Sequence, residues 1–322
     1  MLKRTFVLGV TLLCITFLLA CNSAKDVKIG IIQVIDHPAL NSARQGFIEY
    51  LSENGYAEGE TVEYDYRNAK GSMENAHQIA AGFIGKGVNL IMAIGTPVTK
   101  VTIEKTQEIP IIFAAVTDPL GEGIVTDLKT PGGNVSGISD MNPVYDQLKL
   151  IKEMIPQAKK VGVLFNPGEA NSVALVNIAR EAADKLGLLL IEATANNTRG
   201  VRQAAASMVG KVDAAYMPTD NTMAAAIDVI MDVCDKNNIP FFSSERESVK
   251  DGGTLASLCV NYYQLGRQTG EIAYRVLKGE DIGKISVEFQ KKFDLYVNTT
   301  RAEKLNIEVP KSVRERATKI VK

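Results

Sequence analysis

The stretch KIGIIQVIDHPALNSARQGFIEYLSENG at residues 28–55 has a counterpart in KVGVLFNPGEANSVALVNIAREAADKLG at residues 160–187. Each stretch begins with a short apolar run, continues through polar residues and ends in an amphipathic segment closed by glycine. Such a run is typical of a buried strand, and the segment after it has the apolar spacing and terminal glycine of a helix. The two stretches therefore predict the same strand–helix unit twice in one chain.

The repeat extends well beyond this first unit. NLIMAIGTPVTKVTIEKTQEIPIIF at residues 89–113 corresponds to DAAYMPTDNTMAAAIDVIMDVCDKNNIPFF at residues 213–242. Strands alternate with helices, which predicts parallel sheets joined by right-handed crossovers. The spacing of about 130 residues is the size of a whole domain rather than of a solenoid unit. We therefore expect two similar α/β lobes, each with three layers around a parallel sheet.

The composition is that of an ordinary globular protein. The 322 residues are 46% hydrophobic and 23% charged, with 36 basic and 37 acidic side chains. A formal net charge of −1 provides no positive excess for phosphates, so nucleic-acid binding is not expected. Two histidines and four cysteines supply few ligands for a transition metal, and we expect neither a metal nor a cofactor.

Residues 1–20 have the pattern of a secretory signal peptide. Lys3 and Arg4 precede an apolar run at residues 5–19. This run is short of the roughly 20 residues that a membrane-spanning helix needs, and a small residue follows it. On this pattern alone, an N-terminal anchor helix and an ordinary cleaved signal are both open.

The end of the apolar run carries a more specific pattern. LLAC at residues 18–21 resembles a bacterial lipobox, with cysteine at the point where the run stops. The resemblance implies cleavage before Cys21 and attachment of lipid to its thiol. Acyl chains on that residue would hold the protein to a membrane. Residues 21–26 would form a tether, and the fold would begin near Val27.

Short segments are predicted to connect the two lobes. NVSGISDMNP at residues 134–143 contains turn-forming and polar residues, and TLASLCVN at residues 254–261 directly precedes a predicted helix at 262–278. Lobes joined by several such segments can close by hinge motion. The predicted limits are residues 27–138 and about 257–285 for the first lobe, and residues 139–256 and about 286–322, with a strand at 291–297, for the second.

Candidate site residues follow the predicted strands. Open α/β sheets bind ligands in the crevice beyond the carboxyl ends of their strands, and small polar side chains occupy those positions here. The candidates in the first lobe and at its junction are Gln33, His37, Thr96, Thr117, Asp118 and Ser139. Those in the second lobe are Asn166, Glu169, Asn171, Ser172, Asp220, Asn221 and Glu245.

These residue types suit a small zwitterion. Thr96 or Ser172 lies near a helix start, where free backbone N–H groups and the helix dipole favour a carboxylate. Asp118, Asp220 or Glu245 would accept hydrogen bonds from an ammonium group. Serine, threonine, aspartate and asparagine at helix starts are also common helix caps, so each has a structural alternative. The prediction depends on the whole set of polar strand ends.

An aromatic ligand would also need an apolar or ring-lined slot. The candidates for its walls, all near predicted strand ends, are His37, Pro97, Pro167 and Met217. Tyr262 and Tyr263 begin a helix at the second crossing, where packing in the core or hinge is favoured over ligand stacking.

Two cysteines remain after the predicted signal peptide and Cys21 are set aside. Cys234 and Cys259 each lie in an apolar setting. In an exported protein they could form a disulfide. Two buried thiols that pack as small hydrophobic groups are the favoured interpretation.

Motifs of common enzyme classes are absent from the sequence. It contains no H-E-x-x-H, no G-x-S-x-G, no G-x-x-x-x-G-K-[ST], and no G-x-G-x-x-G after the first strand. With only His37 and His77, few Ser–His or Cys–His arrangements are available. We expect a binding protein rather than an enzyme, and an enzyme using Asp118 or Asp220 is the least favoured alternative.

Several short strings in combination resemble one family. With the lipobox and the repeated lobes, they resemble the substrate-binding lipoproteins of bacterial ABC importers, in particular the group that includes tryptophan- and tyrosine-binding proteins. The resemblance covers nearly the whole mature chain and implies the type I periplasmic-binding fold with three crossings between lobes. The strings are AIGTP at residues 93–97, VTDP at 116–119, GISD at 137–140 and YYQLGRQTG at 262–270.

The resemblance also implies a function. Such proteins capture a small solute and deliver it to a membrane permease that a separate ATPase powers. Hydroxyl groups of the first lobe hold the carboxylate in similar amino-acid binders, and these positions fall on Thr96 and Thr117. An acid of the second lobe holds the ammonium, which here is Asp220 or Glu245.

We therefore expect a monomeric lipoprotein, anchored at the extracytoplasmic face of the cell membrane, that binds an aromatic amino acid such as tryptophan, tyrosine or phenylalanine. The main alternative is a surface receptor or adhesin on the same fold.

Overall fold

The computed structural model describes residues 27–250, 253–290 and 292–322. The predicted signal peptide, the tether and Cys21 lie outside these residues. The first part of the described chain alternates strands and helices, as the repeat predicts. Its elements are β1 (Val27–Gln33), α1 (Pro38–Glu53), β2 (Val62–Asn68), α2 (Met73–Gly85), β3 (Leu90–Ile94), α3 (Thr96–Lys105), β4 (Ile111–Val116) and β5 (Val135–Ser139).

The second part repeats this alternation and then adds a C-terminal segment. The repeated elements are α4 (Val144–Met154), β6 (Lys160–Phe165), α5 (Ala170–Leu186), β7 (Leu189–Thr194), α6 (Val201–Ser207), β8 (Ala214–Met217), α7 (Asn221–Ala224), α8 (Ile227–Lys236), β9 (Phe241–Ser243), α9 (Arg246–Lys250) and β10 (Ala256–Val260). The added elements are α10 (Tyr262–Leu277), β11 (Glu288–Phe289), β12 (Phe293–Asn298), α11 (Thr299–Lys304), α12 (Lys311–Arg316) and β13 (Lys319–Val321).

The strands form two separate sheets. The first sheet has the order β11-β5-β4-β3-β1-β2, and all of its strand pairs are parallel. The second has the order β13-β12-β10-β9-β8-β6-β7, and only the pair β10–β12 is antiparallel. The predicted α/β class with two similar, mainly parallel sheets is confirmed.

The chain passes between the two sheets at three places. It leaves the first sheet after β5, returns between β10 and α10, and leaves again between β11 and β12. The limits expected near residues 257 and 286 differ from this by a few residues. Residues 257–260 belong to β10, which pairs in the second sheet, and β11 pairs with β5 in the first.

Each sheet lies in its own hydrophobic core. All five residues of β3 (LIMAI) and all six of β4 (IIFAAV) are buried. Continuous apolar runs of this kind are expected when helices cover both faces of a parallel sheet. Tyr216 on β8 is the largest fully buried side chain of the second core, and its hydroxyl donates to Gln147 Oε1 at 2.5 Å.

Cys234 and Cys259 are buried and not joined by a disulfide, as favoured from the sequence. Burial raises the pKa of both thiols to about 12. In the described part of the chain, no helix is long and apolar enough to cross a membrane. Within the same residues, no group of three His, Cys, Asp or Glu side chains is placed to hold a metal ion.

Candidate functional site

The carboxyl ends of the two sheets face each other and enclose a cavity. Its volume is about 410 Å³, including space open to solvent. The first lobe and the crossing segments contribute Ile35, His37, Ala39, Leu40, Gly95, Thr96, Ala115, Thr117, Asp140 and Tyr262. The second lobe contributes Asn171, Thr219, Asp220, Asn221, Ala224 and Glu245.

Seven of the predicted site residues line this cavity. They are His37, Thr96, Thr117, Asn171, Asp220, Asn221 and Glu245. The cavity lining does not include the predicted Gln33, Asp118, Ser139, Asn166, Glu169 and Ser172. Of the candidate walls, His37 lines the cavity, whereas Pro97, Pro167 and Met217 do not.

The start of α3 forms one polar end of the cavity. Gly95 is the N-cap residue, with a φ of 106°, and no side chain caps this helix. The first backbone N–H groups of an α-helix have no acceptor within the helix, so the N–H of Thr96 is free to bind an anion. Thr96 Oγ1 accepts a hydrogen bond from the Thr117 N–H at 3.4 Å, which leaves its own hydroxyl hydrogen available.

Asn171 and Asp220 lie across the cleft from this helix start. Helix α3 contacts α5, and Asn171 is on the first turn of α5. Asn171 Nδ2 donates to the Thr219 carbonyl at 3.4 Å, while its buried Oδ1 has no hydrogen-bond partner. An unpartnered buried acceptor is costly, and an ammonium group of a ligand would satisfy it.

The Asp220 carboxylate is held by three donors. Oδ2 accepts from the Asn166 N–H at 2.6 Å and from the Ser172 hydroxyl at 2.5 Å, and Oδ1 accepts from the Met223 N–H at 2.7 Å. Burial raises the pKa of Asp220, with a further contribution from Glu169, and these three hydrogen bonds oppose the shift. A carboxylate has about four acceptor positions, so one remains for a ligand.

Glu245 lies beside His37 in the cavity and has an unpartnered oxygen. Its side chain is 5% exposed, and Oε2 has no hydrogen-bond partner. The nearest cation candidate is His37 of the first lobe, with Nε2 at 3.8 Å from Oε2. His37 Nδ1 accepts from the Ala39 N–H as the cap of α1. Burial is the main reason that the pKa of Glu245 is raised; His37 opposes the shift, and Glu247 and Asp140 add to it.

Asp140 and Tyr262 are two ionisable cavity residues that were not among the predicted site residues. The Tyr262 hydroxyl donates to Asp140 Oδ2 at 2.8 Å, and the Thr117 hydroxyl donates to Oδ1 at 3.0 Å. Burial raises the pKa of Asp140, and both hydrogen bonds oppose the shift. The pair joins two of the segments that cross between the lobes. Both residues lie in or directly after segments that cross between the lobes, for which the sequence favours a hinge role.

Several predicted residues support the cavity from behind. Glu169 accepts hydrogen bonds from the backbone N–H groups of Asn221 and Thr222 at 3.0 and 2.9 Å, which caps the start of α7. Asn166 and Ser172 both donate to Asp220. These three residues therefore hold other residues in place, which is the structural alternative that the sequence left open.

The remaining predicted residues make local contacts in the first lobe. Gln33 Nε2 donates to the Ile35 carbonyl at 2.7 Å. Asp118 Oδ1 accepts from the Gly121 N–H at 2.8 Å in the turn after β4. The Ser139 hydroxyl donates to the Thr117 carbonyl at 2.8 Å, so it fixes the backbone next to a cavity residue.

Together, the fold and the cavity define a two-lobed α/β binding protein. The family model described as ABC transporter substrate binding protein matches residues 28–321, and the chain belongs to this family. The resemblance noted in the sequence is thereby confirmed. Proteins of this class bind small molecules outside the cytoplasm and pass them to a permease; they are transport components rather than an enzyme family.

Three relatives are informative. The chain is 37% identical over 287 residues to the "Tyrosine-binding protein" of Clostridioides difficile (strain R20291), covering 89% of this chain and 83% of that protein. An ABC domain from Streptococcus pneumonia in complex with L-Trp is 32% identical, with a TM-score of 0.88 over 92% of this chain and 100% of that one. The ligand-free, open structure of a substrate-binding protein with adhesive properties from Clostridium difficile is 37% identical, with a TM-score of 0.72 over 92% of this chain and 99% of that one.

These TM-scores indicate that the lobes of this chain are arranged differently from those of the open structure. The L-Trp complex is more similar in shape than the open structure, although it is less similar in sequence. A change in the angle between two lobes lowers the overall similarity without changing either lobe. Contacts across the cleft agree with closure, because α1 contacts α9 and α3 contacts α5.

Proposed function

We propose that this chain is a solute-binding lipoprotein of an ABC importer and that its ligand is an aromatic amino acid. The observation that carries the proposal is the pairing of a free helix start at Thr96 with an unpartnered acceptor on Asn171 across the cleft. A helix start suits a carboxylate, and a buried acceptor beside a carboxylate suits an ammonium. The α-carbon of an amino acid carries both groups.

The rest of the cavity supports an aromatic side chain. Apolar side chains of Ile35, Ala39 and Leu40 line it from the first lobe, together with the rings of His37 and Tyr262. A slot of this kind favours a flat apolar group over a charged or strongly polar one. A relative is named for tyrosine binding and another was solved with L-Trp, which supports the same ligand class.

A thermal-shift and fluorescence experiment tests the ligand. We expect an aromatic amino acid at 100 times its Kd to stabilise the protein by about 2.7 kcal/mol, which raises the Tm by about 4 °C. Leucine, glutamate and arginine serve as controls and should leave the Tm unchanged. The chain contains no tryptophan, so bound L-tryptophan should show blue-shifted emission without background from the protein. An unchanged Tm with all three aromatic amino acids, together with tryptophan emission at its free-water position, would contradict the proposal.

Lipid anchoring is the second part of the proposal. It is supported by the sequence LLAC at residues 18–21 and by membership of a transporter family. We expect Cys21→Ala to move the protein from the membrane fraction to the soluble fraction, because no acyl chain could then be attached. Cys234→Ala is the matched control and should remain with the membranes, since that thiol is buried in the second lobe. Retention of Cys21→Ala in membranes after a high-salt wash would argue against the lipoprotein.

Adhesion is the alternative function, and one finding favours it. A structure 37% identical to this chain is described as a substrate-binding protein with adhesive properties. An importer component needs a permease and an ATPase, whereas an adhesin needs neither. Genes for both beside this one, together with loss of aromatic amino-acid uptake when it is deleted, would favour import.

A further inference from the structure

We infer that Glu245 accepts a hydrogen bond from a polar hydrogen on the ring of the ligand, so that the site selects tyrosine and tryptophan over phenylalanine. This inference rests on the proposed function and concerns the same cavity. In this arrangement, the buried carboxylate of Glu245 contacts the side chain of the ligand. Asn171 and Asp220 contact the ammonium group of the ligand.

The first step is the geometry of an amino acid. Its carboxylate and ammonium groups share one carbon atom, so their partners must lie at the same end of the cavity. Thr96 begins α3, and α3 contacts α5, which carries Asn171 on its first turn. Asp220 is bonded to Ser172 of the same helix α5. The free helix start and the free acceptors of Asn171 and Asp220 therefore form one zwitterion end.

Glu245 lies beside helix α1, whereas Asn171 and Ser172 lie on α5. It directly precedes α9, which contacts α1, and its Oε2 lies 3.8 Å from Nε2 of His37, the cap of α1. The charges that act on the pKa of Glu245 are His37, Glu247 and Asp140, whereas Glu169 acts on that of Asp220. The two acids thus have different charged neighbours, as expected if they serve different parts of a ligand.

The apolar side chains of the cavity lie beside His37 and Glu245. Ile35, Ala39 and Leu40 flank His37 in the segment from β1 to α1. A second cavity shares Ala39, Glu245 and Tyr262 with the first, so the two cavities adjoin beside Glu245. A ligand held by its zwitterion at α3 and α5 would therefore place its ring beside Glu245.

An unpartnered carboxylate oxygen discriminates between rings. The phenol of tyrosine and the indole of tryptophan each carry one polar hydrogen, and the phenyl ring of phenylalanine carries none. His37 is too far at 3.8 Å for a hydrogen bond, and Oε2 has no other hydrogen-bond partner among the described residues, so a polar hydrogen of the ligand would satisfy it. Sites built around a ligand hydroxyl reject the analogue that lacks it, because their own buried polar group stays unpaired.

Calorimetric titration of four ligands tests the inference. We expect the unmodified protein to bind L-tyrosine and L-tryptophan on the order of 100-fold more tightly than L-phenylalanine and L-4-fluorophenylalanine. Glu245→Met retains a side chain of similar length without a carboxylate acceptor. In this variant the affinities for tyrosine and phenylalanine should differ by no more than about threefold. Glu245→Gln keeps one amide oxygen and should preserve part of the preference. Glu192→Gln, on β7 and paired with Arg180 outside both cavities, should preserve all of it.

The outcomes separate this inference from the proposed function. Equal binding of tyrosine and phenylalanine by the unmodified protein would overturn the inference while leaving the aromatic ligand intact. An equal loss for all four ligands in Glu245→Met and Glu245→Gln would also overturn it, because Glu245 would then hold the ammonium. If none of the four ligands binds the unmodified protein, the proposed function itself fails.

Discussion

Replacing Asp220 with alanine is expected to weaken binding of an aromatic amino acid by roughly 100-fold, or about 2.7 kcal/mol. The ammonium group of the ligand would lose its charged acceptor in a buried site, and truncating one partner of such a pair has effects of this size. Calorimetric titration of the purified variant with L-tyrosine measures the change.

The same variant is expected to lose about 3 kcal/mol of folding stability. Asp220 Oδ1 caps α7 through the Met223 N–H, and loss of a cap costs roughly 0.5–2 kcal/mol. Oδ2 satisfies the Asn166 N–H and the Ser172 hydroxyl, and a buried donor left unpaired costs roughly 1–3 kcal/mol. Asp220→Asn keeps an oxygen for the cap but presents an amide donor to the Asn166 N–H, so it should also lose affinity while losing less stability.

Asp213 provides a matched control for these effects. Its Oδ2 accepts from the backbone N–H groups of Lys159 and Lys160 at 2.7 and 2.8 Å, at the opposite end of the second sheet from the cavity. Asp213→Ala should therefore lower stability and leave the Kd for L-tyrosine unchanged. If both alanine variants weaken binding equally, or if Asp220→Ala binds like the unmodified protein, Asp220 does not face the ammonium.

The sequence predicted the two sheets because the signal there is strong. β3 and β4 are continuous apolar runs, which are typical of buried strands. The strand–helix units also recur about 130 residues apart, so both halves of the chain predict the same architecture. The limits of the lobes were less accurate. β10 and β11 are assigned to a sheet by their pairing with strands that are distant in the sequence. That pairing has no local signature in the sequence.

Only some of the predicted site residues line the cavity, and the reason is physical. The rule about strand ends selected Thr96, Asn171, Asp220 and Glu245, which line the cavity, because position after a strand is visible in the sequence. It also selected Glu169 and Ser172, since a polar residue after a strand caps a helix as readily as it faces a ligand. Ile35 and Leu40 line the cavity but were not among the wall candidates named from the sequence.

Asp140 and Tyr262 were not predicted as cavity residues for a different reason. Their hydrogen bond at 2.8 Å joins residues 122 positions apart. Each follows a strand, but in a different sheet, β5 for Asp140 and β10 for Tyr262. Only the closed arrangement of the two crossing segments brings them together at the cavity, and no local pattern encodes that distance.

Gly266→Ala is expected to destabilise the protein by roughly 3 kcal/mol and to lower its Tm by about 5 °C. Gly266 lies on α10, which follows β10 of the second sheet but packs closely on α1 of the first lobe. A methyl group on Gly266 would overlap the carbonyl oxygen of Ala43 on α1. Because the overlap is with backbone rather than with a flexible side chain, the two helices would have to move apart.

That movement would also reach the cavity. His37 caps α1, and Tyr262 is the first residue of α10, so both line the cavity from the ends of the helices that the substitution separates. We therefore expect weaker binding of L-tyrosine in Gly266→Ala together with the lower Tm. Gly82→Ala is the control, because a methyl group there would meet nothing within 4 Å. Alanine also favours the helix over glycine by roughly 0.5–1 kcal/mol, so Gly82→Ala should raise the Tm slightly. A Tm for Gly266→Ala equal to that of the unmodified protein would show that α1 and α10 tolerate a wider spacing than their close backbone approach implies.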